Sequence, residues 1–475
     1  MDTTTFRNVI NNELTTTAET RHGINPATAQ PNPPVPVATR EDLDRAVDAA
    51  QQAFKKWSKT TFEQRRAALH AYADAIEENK DTLATILTME QGKPLTQSAM
   101  EIGFGIQWVR GIPNIEIPEN VIEDTEERRV VQRHTPIGVA CAIVPWNFPV
   151  LLALGKIAPA VYTGNTVIVK PSPFTPYCDL KLAELATKFF PPGVVQALSG
   201  DDSLGPWCTE HPGIGKISFT GSSQTGQRVM ASCAKTIKRV TLELGGNDPC
   251  IVCDDVDVDT VVPKVGIFSF LCTSQIYMMI KRLYVHERIY DEFRTKLAEF
   301  VKSLPVGDGT KPETFFGPVQ NAMQFDKVKE LFADTAKSGY KTALGGDIPD
   351  SSASPGYFVQ PTIVDNPPED SRVVQEEPFG PILPMMKWSD EDDVIARANG
   401  TNSALGASVW TKDMDRATRM ADQLVAGSVW VNSHFDISPN APFGGHKGSG
   451  LGTEWGINGL LGYCNSQTLW LKRSP

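Results

Sequence analysis

The 475-residue sequence has no surplus of positive charge, few cysteines, and no long apolar run free of charge and proline. Forty-five Lys and Arg stand against 56 Asp and Glu, a formal net charge of −11. The chain as a whole is therefore not drawn to nucleic-acid phosphates or anionic lipid, and neither partner is expected. The most membrane-like stretch, 139–161, contains Asn147, Lys156 and prolines at 145, 149 and 159, all costly in a lipid-facing helix. No membrane span is expected. The start, MDTTTFRNVINNELTTT, lacks a basic segment leading into an apolar one, which makes a cytosolic location the expectation. Eight cysteines are too sparse for a disulfide framework. Cys250 and Cys253 form a lone CxxC inside PCIVC. Without a second pair or suitably spaced histidines it reads as a buried strand, and no metal site is expected. There is no internal repeat, and no low-complexity segment beyond the proline-rich 31–36.

What is present is an ordinary globular composition: 41% hydrophobic and 21% charged residues, over a length that suits two large domains or three smaller ones. Thr39 with Asp42 has the form of a capping box, and Leu43, Ala46, Val47, Ala50, Phe54 and Trp57 follow near helical spacing. Further helices are predicted over 62–78 and 81–91, the latter stopped by Gly92 and Pro94. From 139 the texture changes to short β-rich runs (139–144, 166–170, 194–198, 216–219, 240–242) separated by helical segments. A second series follows 247 and includes 283–285 and 408–410. Such alternation predicts an α/β fold with two parallel sheets covered by helices, with ligands beyond the carboxyl ends of the strands. Residues 115–133 have the charge and β-branching of a projecting hairpin, and 467–472 read as a strand; peripheral strands of this kind invite pairing with another subunit.

Three short segments carry chemistry. Phe219-Thr220-Gly221-Ser222, with Gly226 four residues on, places small residues between a strand and a helix start. There backbone N–H groups and the helix dipole favour a pyrophosphate, although a plain strand-to-helix turn has the same look. Pro145-Trp146-Asn147-Phe148-Pro149 holds a side-chain amide at a strand exit, placed either to satisfy the turn or to donate to an oxygen gaining negative charge. Leu242-Glu243-Leu244-Gly245-Gly246 puts a carboxylate at a strand end, suited to a general base or to simple solvation.

In this order and spacing the segments resemble the aldehyde dehydrogenase superfamily. The resemblance spans nearly the whole chain, through PWNFP at 145–149, GNTVIVKPS at 164–172, FTGS at 219–222, ELGG at 243–246, QEEPFGP at 375–381 and PFGGHKGSG at 442–450. It implies an NAD(P)-binding domain from 1–117 and 137–246, a catalytic domain over 247–445, and a β bridging element from 118–136 and 462–475 that builds homodimers or homotetramers. It also implies roles. Lys170 would contact the adenosine ribose, with Trp146 and Ser172 beside the coenzyme, Gly221, Ser222 and Gly226 at the pyrophosphate, Glu377 at the nicotinamide ribose, and Phe379 near the nicotinamide. Asn147 would be the oxyanion donor, Glu243 the general base, and Lys156 with Glu454 a proton relay. Where many relatives have KPSE the chain has Lys170-Pro171-Ser172-Pro173, so the preference between NAD and NADP stays open.

One departure bears on the chemistry. The family's nucleophilic cysteine lies in a segment reading roughly Asn-Ser-Gly-Gln-x-Cys; here the segment reads Cys272-Thr273-Ser274-Gln275-Ile276-Tyr277. Gln275 and the following Lys281-Arg282 fix the register, which puts Tyr277 in the place of the cysteine. A phenol of pKa about 10 is only about 0.1% ionised at pH 7. Cys272, five residues upstream, is the nearest substitute thiol. The leading expectation is accordingly a repurposed enzyme on a small aldehyde, alcohol or enone, isomerising by hydride abstraction and return or shuttling a proton between Tyr277 and Glu243. Two alternatives stand beside it: NAD(P)-dependent oxidation of an aldehyde, through a hydrate deprotonated by Glu243, and a coenzyme-binding protein without catalysis.

Overall fold

Helix α1 (Arg40–Trp57) starts at Thr39 because two donors at its end are satisfied reciprocally. The Thr39 hydroxyl accepts from the Asp42 N–H, and the Asp42 carboxylate accepts from the Thr39 N–H at 3.0 Å. The same device, made by Thr61 and Gln64, opens α2 (Phe62–Glu78). Helix α3 (Lys80–Gln91) ends where Gly92 turns left-handed at φ 91°. A Cβ there would lie 2.6 Å from the Pro26 ring, so glycine serves both the turn and the close approach. Helix α4 (Leu95–Gly111) follows, and α5 (Pro149–Tyr162) is buried along its whole length. The computed structural model describes residues 1–350 and 355–474. Residues 351–354 of the expected catalytic domain and Pro475 of the expected bridging segment lie outside the described residues.

Two sheets organise the chain. The first has eight strands in the order Glu13–Thr15, Asn8–Ile10, Val195–Ala197, Thr166–Lys170, Val139–Ile143, Lys216–Thr220, Arg239–Glu243 and Gly450–Leu451. Its five central strands are parallel, and both edges add antiparallel pairs. The strand order reverses between Val139–Ile143 and Lys216–Thr220, which opens a crevice at their carboxyl ends. The second sheet has seven strands, in the order Thr342–Leu344, Thr362–Asp365, Ile382–Trp388, Ile280–His286, Asp248–Val252, Gly406–Trp410 and Ser428–Val431. All its neighbours run parallel except the first pair. This is the α/β fold with two mostly parallel sheets that the alternating pattern predicts.

A three-stranded antiparallel sheet projects from this body, made of Cys464–Lys472, Arg128–Pro136 and Asn120–Asp124. The N-terminal third holds an unanticipated element as well as helices. Gln30–Pro36, the proline-rich run, is a strand paired with Thr20–Asn25 in an isolated two-stranded sheet, where a residue without an N–H costs little. Cys250 and Cys253 are fully buried, at and just after the strand Asp248–Val252. No helix among the described residues is long and apolar enough to cross a membrane.

Candidate active site

A cavity of about 680 Å³ lies at the carboxyl ends of the first sheet, where the second sheet faces it. Trp146, Asn147, Lys170, Ser172, Gly221 and Ser222 line it from the first sheet. Tyr277, Glu377 and Phe379 line it from segments that lead into strands of the second. Ser222 caps the helix Ser223–Ala234, its hydroxyl accepting from the Thr225 N–H at 3.3 Å, so the positive end of that helix faces the cavity. Gly226 does not line the cavity. A Cβ at 226 would sit 2.4 Å from Leu244, which makes this glycine a packing residue between helix and strand.

The glycines of the ELGG segment let the two halves meet. A Cβ at Gly245 would lie 2.4 Å from Glu377 Oε2, and one at Gly246 would lie 2.2 Å from the Tyr277 carbonyl oxygen. The Glu377 carboxyl is thereby drawn into the cavity wall. Burial pushes it up to about 7, opposed by the nearby Lys281, and its Oε1 has no protein partner. Burial in turn brings the Lys281 ammonium down to about 8. An unpartnered buried acceptor beside a helix N-terminus and a strand-end lysine is the donor and acceptor set that a ribose and pyrophosphate would satisfy, so the residues fit a nicotinamide dinucleotide. Trp146 and Phe379 meet edge to face at 5.3 Å at one end of this wall.

At the reacting end, the Asn147 Nδ2 donates to the Gln275 carbonyl at 2.9 Å, which orients the amide and leaves its second N–H to the cavity. Glu243 is buried, and neither carboxyl oxygen has a protein partner. Burial lifts it well above the usual carboxyl range, Glu454 adds to the lift, and Lys156 opposes it. Lys156 Nζ donates to Glu454 Oε1 at 3.2 Å, and the Ser218 hydroxyl donates to the same oxygen. Lys156, Glu243 and Glu454 thus form a buried cluster behind the cavity rather than part of its lining. The Tyr277 phenol is raised well above 10 by burial and by the neighbouring Glu243 and Glu454. Its ring lies 6.2 Å from Phe443, which stacks on Trp455 at 5.3 Å.

Immediately before Tyr277, three consecutive side-chain-bearing residues are left-handed: Cys272, Thr273 and Ser274 at φ 52°, 58° and 58°. Each costs on the order of 1–3 kcal/mol and persists only where its surroundings enforce it. Here Gln97 accepts from the Cys272 N–H at 3.1 Å, Thr273 Oγ1 donates to the Gly317 carbonyl at 2.9 Å, and Lys281 donates to the carbonyl and hydroxyl of Ser274. The Cys272 thiol is 1% exposed and pushed up to about 12 by burial, and it does not line the cavity.

The sequence reading missed the wall supplied by the helix Ala322–Lys337, including Gln324 and Lys327, together with Arg372 and Glu376. Gln324 Nε2 donates to the Pro378 and Phe379 carbonyls at 3.2 Å and so sets Phe379, whose φ is 45°. No local motif marks Gln324, Lys327 or Arg372, whereas Glu376 sits within QEEPFGP; the packing of that helix on the segment before Ile382–Trp388 brings them together.

The profile of the Aldehyde dehydrogenase family matches residues 14–469. The chain belongs to the aldehyde dehydrogenase family. It is 41% identical to the aldehyde dehydrogenase LUC3 of a Fusarium species over 99% of this chain and 100% of that one. It is 39% identical to retinaldehyde dehydrogenase 3 of Rattus norvegicus, over 94% of this chain and 89% of the relative. Among solved structures, betaine aldehyde dehydrogenase of Staphylococcus aureus in complex with NAD+ superposes with a TM-score of 0.95 at 32% identity, covering 99% of this chain and 96% of that one. An E. coli NADP-dependent enzyme superposes with a TM-score of 0.95 at 35% identity, covering 98% of each chain. These likenesses correct the expectation of a repurposed isomerase or proton shuttle, because the proteins similar over nearly the full chain are named as aldehyde dehydrogenases. The physical reason is that position 277 is one side chain. The cleft around it is lined by many residues from segments of both sheets.

Proposed function

We propose that this aldehyde dehydrogenase family member oxidises an aldehyde to a carboxylic acid with NAD or NADP. The observation that carries the reading is the convergence of Asn147, Tyr277, Lys170, Ser222 and Glu377 on one cavity, with the unpartnered Glu243 carboxyl buried close behind. A bound nicotinamide coenzyme would supply the hydride acceptor. Lys170, Ser172, Ser222 and Glu377 would hold it, and Phe379 with Trp146 would shape the pocket at its ring.

Tyr277 stands, on this reading, where the family's nucleophilic cysteine stands, and no other thiol takes over, since Cys272 is buried away from the cavity. The substrate then reacts as its hydrate. Glu243 takes a hydroxyl proton, the carbon–hydrogen pair leaves as hydride, and the electron pair left on oxygen closes the new C=O bond of the acid. One hydrate and one oxidised coenzyme become one acid, one reduced coenzyme and one proton. The Asn147 amide donates to the oxygen that bears the charge before hydride leaves. Glu454, held by the Lys156 ammonium, receives the proton from Glu243 and restores the base. Because the Glu243 carboxyl is lifted by burial, it is neutral at low pH and becomes a base as pH rises, so the rate climbs with pH.

Pro173, in place of the glutamate common in relatives, leaves both coenzymes admissible. Homodimers or homotetramers fit the projecting sheet, where Val121, Ile122, Trp470 and Leu471 are exposed. A cytosolic setting fits the eight unpaired cysteines. The test is turnover: the purified protein with NAD or NADP and a panel of aldehydes, read by reduced-nicotinamide absorbance and by the acid formed. Coenzyme that binds but is never reduced, from neutral to alkaline pH, would refute the reading.

A further inference from the structure

Three buried polar side chains on or just before α4 have no part in the mechanism above, yet they grip both segments that carry it. Lys93 is 2% exposed, Gln97 5% and Glu101 fully buried. A buried lysine and glutamate are costly unless paired, and these two are, Lys93 donating to Glu101 Oε2. Their remaining capacity goes to the Asn147 turn. Lys93 Nζ donates to the Asn147 carbonyl at 2.8 Å and sits 3.7 Å above the Phe148 ring. Glu101 Oε1 accepts from the Val150 and Leu151 N–H groups at 2.9 and 3.2 Å, orphan donors of the first turn of α5. One helical turn earlier, Gln97 accepts from Cys272 N–H in the left-handed loop before Tyr277 and donates to the Phe315 carbonyl at 2.9 Å.

We propose that Lys93 and Glu101 are positioning residues for Asn147: the pair fixes the backbone at residue 147 and just after it, so that its amide meets the developing oxyanion. The inference rests on the oxyanion role given to Asn147 under the proposed function. The side-chain bond from Asn147 to Gln275 sets one N–H, but it cannot set where the Asn147 backbone lies. That is done by Lys93 on the carbonyl and Glu101 on the first turn of the helix that follows. An oxyanion donor works only within about 2.7–3.1 Å of its oxygen, and a misplacement of about 1 Å can cost about a hundredfold in rate.

The test is a double-mutant cycle in the full-length protein with coenzyme and a saturating aldehyde, reading kcat, coenzyme KM, the isotope effect with 1-deuterated aldehyde, and thermal unfolding. Asn147→Ala is expected to lower kcat by about a hundredfold. Lys93→Met is expected to lower it by roughly 10- to 100-fold, with coenzyme KM little changed and a larger isotope effect, and Lys93→Arg to recover part of the loss. The double variant should be no more than about twofold slower than Asn147→Ala, because Lys93 acts through that amide. If Lys93→Met does not fold, Glu101→Gln, whose amide oxygen can still accept from both N–H groups, takes its place in the cycle. A folded variant with kcat near the parent's, or a loss that multiplies in full with Asn147→Ala, overturns the positioning role and leaves the oxyanion role standing. Parental kcat in Asn147→Ala removes both.

Discussion

If oxidation runs through the hydrate as proposed, replacing Tyr277 by cysteine should add a covalent acyl intermediate. At pH 7 a phenol of pKa about 10 is ionised to about 0.1% and a thiol of pKa about 8.5 to about 3%. The exchange therefore raises the fraction of nucleophile about thirtyfold, roughly 2 kcal/mol, before counting the greater nucleophilicity of a thiolate. Burial and the neighbouring Glu243 and Glu454 lift the phenol further. The same surroundings would lift a thiol, so the difference survives. Against this stands the lost ring, 7% exposed and packed near Phe443. Removing a buried aromatic costs about 3–5 kcal/mol in a closed core, and less here, since residue 277 lines a cavity that water can enter. Tyr277→Cys should thus be less stable and yet faster. In rapid-quench experiments it should release a burst of reduced coenzyme matching the number of sites, with an acyl adduct visible in the mass of the intact protein. The parent should show neither. A folded Tyr277→Cys protein without burst or adduct, oxidising no faster than the parent, would show that residue 277 does not stand at the reacting carbon.

Other outcomes follow from the same geometry. Glu243→Gln should lower kcat by about 10²–10⁴ with coenzyme binding intact and should flatten the rise in rate with pH; a retained rise would assign the base elsewhere. Gly245→Ala places a methyl 2.4 Å from Glu377 Oε2, so the carboxyl must swing out of the wall. Coenzyme KM should rise about tenfold while kcat changes little, as steady-state kinetics would show. Gly246→Ala meets the Tyr277 backbone at 2.2 Å, which cannot swing away, and should appear instead as a loss of thermal stability of at least a few kcal/mol. Finally, burial raises Glu90 and Glu377 to about 7 and Asp248 to about 8. At these three groups the folded chain binds more protons than the unfolded one between about pH 4.5 and 8, so their contribution to stability falls as pH rises through that window. It outweighs the opposing contribution of His434, brought down to about 3. Above it, Lys216 and Lys281, brought down to about 8, act in the opposite sense. Calorimetry from pH 5 to 8 should show a declining Tm; a flat or rising Tm would contradict the burial argument.

The sequence by itself determined what depends on near neighbours along the chain. Thr39 and Asp42 mark the start of α1 because capping joins residues three apart, and Gly92 marks the end of α3 because only glycine turns left-handed without strain. Central strands such as Thr166–Lys170 follow from continuous apolar, β-branched runs. The short ordered motifs were enough to point to the family. Tertiary structure alone decided how distant residues meet and what burial does to them. Asn147 and Gln275 are 128 positions apart, Lys156 and Glu454 298, and neither pairing has a local signature. Glycines 245 and 246, legible only as a turn, prove to be the gaps through which the second sheet's segments reach the first. The weight given to Tyr277 misdirected the functional reading for the same reason: a residue type shows its own chemistry, whereas the reaction a site performs depends on the charges, donors and cavity that the fold assembles around it.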